Sequence, residues 1–297
     1  MNFASFVRLF TLAAIWGGAF IFVRISAPVL GPVILIENRV GLAAMFLMIV
    51  AMFLHKPLNV KQHWQHYLML GVFNGAVPFL LFGFAALTLP GSTLTILNAS
   101  SPIWGAIIGA VWFRHPLNRR IISGLGLGIF GVGLIVGFDH LAAQRDGGIA
   151  IAAALLAACS YGIATNYAKT AKSVDSFSNA HGSMWAATLV LAPAIPFAPV
   201  LTAPSLGTML TVLVLGVVCT GIAFLLYFRL IKDIGGASAL TVTFLIPVFG
   251  ILFGSVFLGE VITTTMIMGS LIVVLGTALV TGFNPAALLQ RGVARNA

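Results

Sequence analysis

Charge is what this 297-residue chain has least of: Lys, Arg, Asp and Glu make up 7% of it, and only 6 residues are acidic. A water-soluble globule carries roughly a quarter of its residues as charges. With 60% hydrophobic residues and a mean hydropathy of +1.10, the chain belongs in a bilayer. Cysteine is almost absent as well. Cys159 and Cys219 lie in apolar stretches without CxxC or histidine-rich company, which excludes a disulfide framework and a metal centre and leaves two buried thiols. No GxxxxGKS or GxxxxGKT run occurs, and the loops are too short to hold an ATPase, so energy for any work must come from a gradient. No cluster of His, Asp, Glu, Ser or Cys at one depth offers a catalytic constellation, and no cofactor is expected. The net charge of +9 is spread singly through short loops instead of forming a stripe, which argues against nucleic acid as a partner.

What is present is a succession of apolar runs, each long enough to cross about 30 Å of hydrocarbon as a helix. In the first half they lie near 5–24, 32–54, 66–88, 92–113 and 120–138, and in the second near 149–170, 180–201, 207–230, 237–258 and 263–283. The expected fold is therefore an all-α integral membrane protein of ten transmembrane helices. The first run, preceded by Arg8, resembles a signal peptide, but its partner around Tyr161 argues that it stays as a helix. Cytoplasmic loops retain Lys and Arg. One side receives Arg8, Lys56, Lys61, Arg114, Arg119, Arg120, Lys169, Lys172, Arg229, Lys232, Arg291 and Arg295, while the other receives Arg24 and Arg145. Both termini are expected in the cytoplasm.

The chain also contains itself twice, at an offset of 145. Gly91, Pro102, Gly105, Gly109 and Val111 return as Gly236, Pro247, Gly250, Gly254 and Val256. Trp16, Gly17 and Arg24 return as Tyr161, Gly162 and Lys169, Gly71 as Gly216, and Gly124 and Gly131 as Gly269 and Gly276. Five spans per repeat is an odd number, so the second repeat enters from the opposite face and the repeats are inverted. The expected organisation is 1–145 for the first repeat, 146–283 for the second, and a cytoplasmic tail at 284–297. That tail reads as disordered or lying on the anionic leaflet.

Inside the spans the ionisable inventory is nearly empty: Glu37 and Arg39 enter one, and His181 stands at the mouth of another. Arg39 is roughly 10 Å along its helix from Pro32 at helical rise. It can face a cavity or gate, or snorkel to the interface as an anchor. Glu37 sits about 200° around from it, so the two form no same-face pair. At mid-span the candidates for a substrate site are Trp16, Asn38, Asn74, Phe79, Phe82, Asn98, Ser101, Trp104, Tyr161, Trp185, Tyr227, Thr243 and Phe244, together with Arg39. Several are repeat mates, and ring faces with neutral hydrogen-bonding groups suit an amphipathic, partly aromatic or zwitterionic solute. Packing or interfacial belting is the plainer role for any one of them, and Trp64, Trp112 and Tyr67 are assigned to the belt. Pro102 with Gly105 and Gly109, and Pro247 with Gly250 and Gly254, are expected to act as bends on smooth contacts, either as hinges or as simple packing. The fifth and tenth spans carry few polar side chains and read as peripheral.

These residues resemble the drug/metabolite transporter superfamily, in particular its EamA-type branch of bacterial exporters. The resemblance rests on AIWGGAF from Ala14, the Asn38 and Arg39 pair, the Pro102 and Pro247 segments, and LGE at Leu258 to Glu260 followed by Gly269 and Gly276. It implies a cavity between the first to fourth and sixth to ninth spans, with Trp16, Arg39 and Glu260 at the family's recurrent positions. The first repeat has Arg114 and His115 where the second has Gly259 and Glu260, which points Glu260 toward a structural cap or turn. Relatives of this branch export aromatic and other amino acids, their metabolites, or cationic drugs. The expected function is a secondary exporter of small organic metabolites, aromatic amino acids foremost, working by alternating access in the cell inner (plasma) membrane. A passive channel or facilitator, and a nucleotide-sugar-like carrier, remain as alternatives. The implied partners are the small-molecule substrate and membrane lipid. A monomer is compatible with the sequence, which does not determine oligomeric state.

Overall fold

A peptide group in lipid has no water to bond, so each buried segment must close its hydrogen bonds on itself. The computed structural model describes residues 3–114, 117–138, 146–171, 174–199, 201–234, 239 and 241–282, and no strand occurs among them. The expectations resting on His115, Asp139, His140, Arg145, Lys172, Gly236 and the tail 284–297 lie outside the described residues. In chain order the helices are α1 (Phe3–Leu30), α2 (Pro32–Phe53), α3 (Val60–Ala85), α4 (Gly91–Phe113), α5 (Arg119–Phe138), α6 (Gly147–Thr170), α7 (Ser176–Leu191), α8 (Leu206–Ile234), α9 (Val242–Leu258) and α10 (Thr264–Thr281). Seven of them, α1 to α4, α6, α8 and α10, are long and apolar enough to cross a membrane.

Two boundaries differ from expectation for a stated reason. Helix α1 runs on to Leu30, and the turn into α2 is made by Gly31 alone at φ 77°, a conformation that glycine tolerates. Helix α7 stops at Leu191 and continues only as a 3-10 turn over Ala192–Phe197, where Pro193 and Pro196 remove donors.

Three irregularities sit inside helices. Gly71–Ala76 in α3 and Val214–Ile222 in α8 widen to π-helical turns, and the 145-residue offset carries Gly71 onto Gly216 within the second. Helix α4 breaks between Gly91–Asn98 and Ser101–Phe113. Pro102 therefore opens a new helix instead of bending one, and the loosened carbonyls are taken up locally. Ser101 Oγ donates to the Asn98 carbonyl (2.6 Å), and Thr277 Oγ1 of α10 donates to that of Ala99 (2.9 Å). In the ninth span a turn at Thr241 precedes the helix Val242–Leu258, which carries Pro247 inside it.

Helices meet where glycine removes the Cβ. A Cβ on Gly17 of α1 would stand 2.7 Å from Phe249 Cβ and 3.0 Å from the Gly250 nitrogen, and one on Gly162 of α6 would stand 2.9 Å from the Gly105 nitrogen. Gly71 abuts Ala186 at 2.6 Å and Gly216 abuts Leu42 at 2.6 Å by the same measure. Helices α5 and α10 pack antiparallel on Gly124 against Gly276 and Gly131 against Gly269. Adding or subtracting 145 turns the Gly17 crossing into the Gly162 one and the two α5–α10 pairs into each other, and brings Gly71 on Ala186 to within one residue of Gly216 on Leu42. The main core fills the space between α1, α2, α3, α6 and α7, with Leu35, Ile36, Val40 and Leu47 fully buried.

Candidate binding cavity

The glycine crossings hold the helices around a cavity of about 680 Å³, a size that suits a small organic ligand. Its lining on α4 includes Asn98, Ser101, Pro102, Gly105, Ala106, Gly109, Ala110 and Phe113, the i, i+3, i+4 stripe of one helical face. Trp16 and Phe20 come from α1, Arg39 from α2, and Asn74, Phe79 and Phe82 from α3. The second half supplies Tyr161 and Thr165 from α6, Cys219, Thr220, Phe224 and Tyr227 from α8, and Thr243 from α9.

Most sequence-derived candidates are thus gathered in one place, while Asn38, Trp104, Trp185 and Phe244 lie outside the lining. Helical geometry explains each, since neighbours in sequence point about 100° apart. Asn38 is turned out beside the inward Arg39 and donates to the Ile34 carbonyl (2.8 Å). Trp104 is off the α4 stripe, and Phe244 is one step past Thr243. Trp185 is on α7, which sends no residue to the cavity, and its Nε1 donates to His181 Nε2 (3.0 Å). Of the expected hinge residues, Pro102, Gly105 and Gly109 border the cavity. Pro247 is buried in α9, Gly250 packs on Thr95, and Gly254 packs on the Glu260 carboxylate.

Sequence reasoning missed Phe20, Thr165, Cys219, Thr220 and Phe224 as lining residues. The signal was available for two of them: the offset carries the candidates Asn74 to Cys219 and Phe79 to Phe224. The rings obey the same relation. Trp16 meets Tyr227 at 5.3 Å between centroids, and their mates Tyr161 and Phe82 meet at 6.4 Å. Phe20 closes edge-on against Phe82 at 5.2 Å.

Arg39 is 8% exposed, so it is no interfacial anchor. Its Nε donates to Thr220 Oγ1 (3.0 Å), and its Cζ lies 3.7 Å from the Phe79 ring centre, a close cation–π stack. Glu37, two residues away, does not border the cavity, and its Oε2 is buried without a hydrogen-bond partner among the described residues. Among those residues no three His, Cys, Asp or Glu side chains come together as a metal site would require.

The two ends of the cavity differ. Toward one end the lining continues through Phe113, Ile121, Thr165, Lys169 and Thr281, so α5 and α10, although peripheral elsewhere, reach the mouth with their tips. At the other end the helices are tied. Glu260, just past α9, accepts from the Gly91 nitrogen (2.7 Å), the Ser92 nitrogen (3.0 Å) and Ser92 Oγ, capping the first turn of α4. Arg24 Nη1 donates to the Ala86 carbonyl (2.5 Å). The arrangement is a chamber with an aromatic wall.

A profile of the EamA-like transporter family matches residues 5–137 and again residues 148–282. The "Uncharacterized transporter YoaV" of Bacillus subtilis is 24% identical over 272 residues, 90% of this chain and 93% of that protein. The "Probable terminal-alkyne amino-acid exporter" of Streptantibioticus cattleyicolor is 26% identical over 275 residues, 89% of each. A solved crystal structure shares the fold with a TM-score of 0.65 at 17% identity, over 99% of both chains.

Proposed function

The chain belongs to the EamA-like transporter family and is a multi-pass membrane transporter; from this premise we propose that it exports small organic metabolites, amino acids with aromatic or apolar side chains foremost, across the cytoplasmic membrane by alternating access. The observation that carries the reading is the cavity itself: a chamber walled by repeat-related rings, tied at one end by Glu260 and continuing to the helix tips at the other. The relative named as an amino-acid exporter supports the substrate class.

The ten helical segments act as ten spans in two inverted five-helix repeats. The antiparallel α5–α10 contact supports this, because exchanging the two halves maps Gly124 against Gly276 onto Gly269 against Gly131, as an axis lying in the membrane plane requires. Arg114, Arg119, Arg120, Lys169 and Arg229 all belong to the helix ends around the open mouth, so by the positive-inside rule that mouth faces the cytoplasm, as do both termini. The described conformation is then inward-open and ready to load. Export requires the Glu260 tie to release while the α4 and α6 tips close around Phe113 and Lys169.

Counterflow of labelled Trp, Phe, Thr and a flat organic dication into proteoliposomes, with and without a pH gradient, tests the proposal. Saturable exchange of the aromatic amino acids is expected. Linear, non-saturating flux would make the protein a channel and end the alternating-access reading.

A further inference from the structure

Arg39 is the most costly residue in the cavity, and its surroundings say what relieves the cost. Its side chain is buried, and taking a guanidinium out of water is unfavourable unless its donors and its charge are met. One of five N–H donors is used, from Nε to Thr220 Oγ1 (3.0 Å), and that hydroxyl itself donates to the Leu215 carbonyl (2.9 Å). Phe79 lies under the guanidinium plane. The group is held in orientation while the Nη1 and Nη2 fork has no protein acceptor among the described residues.

Among the described residues no acidic side chain is left to serve it. Asp233 is paired with Arg8 and Arg229, Asp175 with Lys56, and Glu260 is committed to Gly91 and Ser92. Glu37 points away, Asp146 precedes α6 at the opposite end of that helix from Lys169, and Asp139 lies outside the described residues. Among the described residues no Asp or Glu borders the cavity, whereas a second cation, Lys169, stands at its mouth. A chamber with one cation at the entrance and another near its far end attracts anions and repels free cations.

Resting on the transporter reading above, we propose that the cargo must carry a carboxylate, which docks on the Nη1 and Nη2 fork of Arg39 while its ring or hydrocarbon body lies against Trp16, Phe82, Tyr161 and Tyr227. Two parallel N–H to oxygen bonds satisfy the fork. The carboxylate is the required group, and an ammonium on the same molecule is dispensable, since nothing acidic in the cavity addresses it.

The test is a headgroup series on one aromatic body: L-phenylalanine, 3-phenylpropionate, phenylalaninamide and phenethylamine, measured by binding calorimetry in detergent and by counterflow in proteoliposomes. The wild-type protein should bind the two carboxylates at least about tenfold more tightly than the amide and the amine. Arg39→Met, which installs the residue found at the equivalent position of the second half, should erase that preference by lowering carboxylate affinity more than amide affinity, and Arg39→Lys should keep part of it. Equal wild-type affinity for phenylalanine and phenylalaninamide would overturn the proposal, as would an Arg39→Met protein that still prefers carboxylates. If Arg39→Met does not fold, the wild-type series decides alone. Saturable transport of amide or amine without transport of carboxylates sinks this proposal and spares the exporter reading; silence across this series and the amino acids of the counterflow panel sinks both.

Discussion

Arg39 and Met184 occupy the same place in the two halves, and each leans on a π-turn of the neighbouring helix. Arg39 hydrogen-bonds Thr220 of α8, while Met184 lays its Cε 3.6 Å from where a Cβ on Gly75 of α3 would be. The backbone crossings around them agree, Gly216 against Leu42 in one half and Gly71 against Ala186 in the other. Duplication has therefore kept the contacts where main chains touch, to within one residue, and let the side chains beside them diverge. The ends follow the same rule. Where Lys56 meets Asp175 at 3.1 Å, the same offset leads to Leu201 and Leu30, two apolar residues without charge. A glycine crossing admits no alternative residue, whereas a cavity wall admits many.

The sharpest way to break this comparison is to make the halves alike. Met184→Arg should cost about 3 to 5 kcal/mol, because Met184 is 0% exposed and neighbours glycine in place of a hydroxyl, leaving a buried charge unmet. Loss of the cooperative thermal transition in detergent is the measurement, and a variant as stable as wild type would mean that the two slots are equivalent after all. Next come the crossings. Gly17→Val and Gly162→Val should each lose about 1 to 3 kcal/mol through overpacking, by similar amounts if the repeat symmetry governs packing. A large loss in one and none in the other would show that only one crossing bears on stability.

A smaller effect separates the ends. Glu260→Gln keeps one acceptor but loses the charge that caps α4, so the tied end should loosen by about 1 to 2 kcal/mol, roughly tenfold in the conformational equilibrium. Labelling of Thr93→Cys by an impermeant thiol reagent from outside should rise accordingly, and unchanged labelling would remove the tie from the mechanism. The smallest effect belongs to Asp175. Burial pushes its carboxyl up, but the hydrogen bonds from Lys56 and Ser178 outweigh burial and hold it below the ordinary carboxylate value. A lowered native value means a contribution complete above the ordinary range and lost as the pH falls through it and then through the native value. For so exposed a pair this is below about 1 kcal/mol. The Tm difference between wild type and Lys56→Met should be present at pH 6 and fade below about pH 4. A difference independent of pH would assign Lys56 a purely packing role.

Much of the cavity could be read in advance because the repeat marks it. Trp16 with Tyr161, Phe82 with Tyr227, and Asn98 with Thr243 were visible as mates, and all six line it. Carrying the same offset through Asn74 and Phe79 reaches Cys219 and Phe224. The four candidates outside the lining share a cause: Asn38, Trp104, Trp185 and Phe244 stand out by residue type alone. In a helix apolar on every side, type does not tell which face looks inward.

The sequence by itself determined the solvent, the helical class and the duplication. Each follows from local rules: apolar runs demand internally bonded backbone, and a recurring register of glycine and proline survives translation along the chain. Only the tertiary structure decided that α4 breaks, that Glu260 reaches across to Gly91, and that Arg39 turns inward to Thr220. Those outcomes depend on partners roughly 170 to 180 residues away, and a distant hydroxyl, amide or carbonyl leaves no periodic trace in the residues that come to meet it.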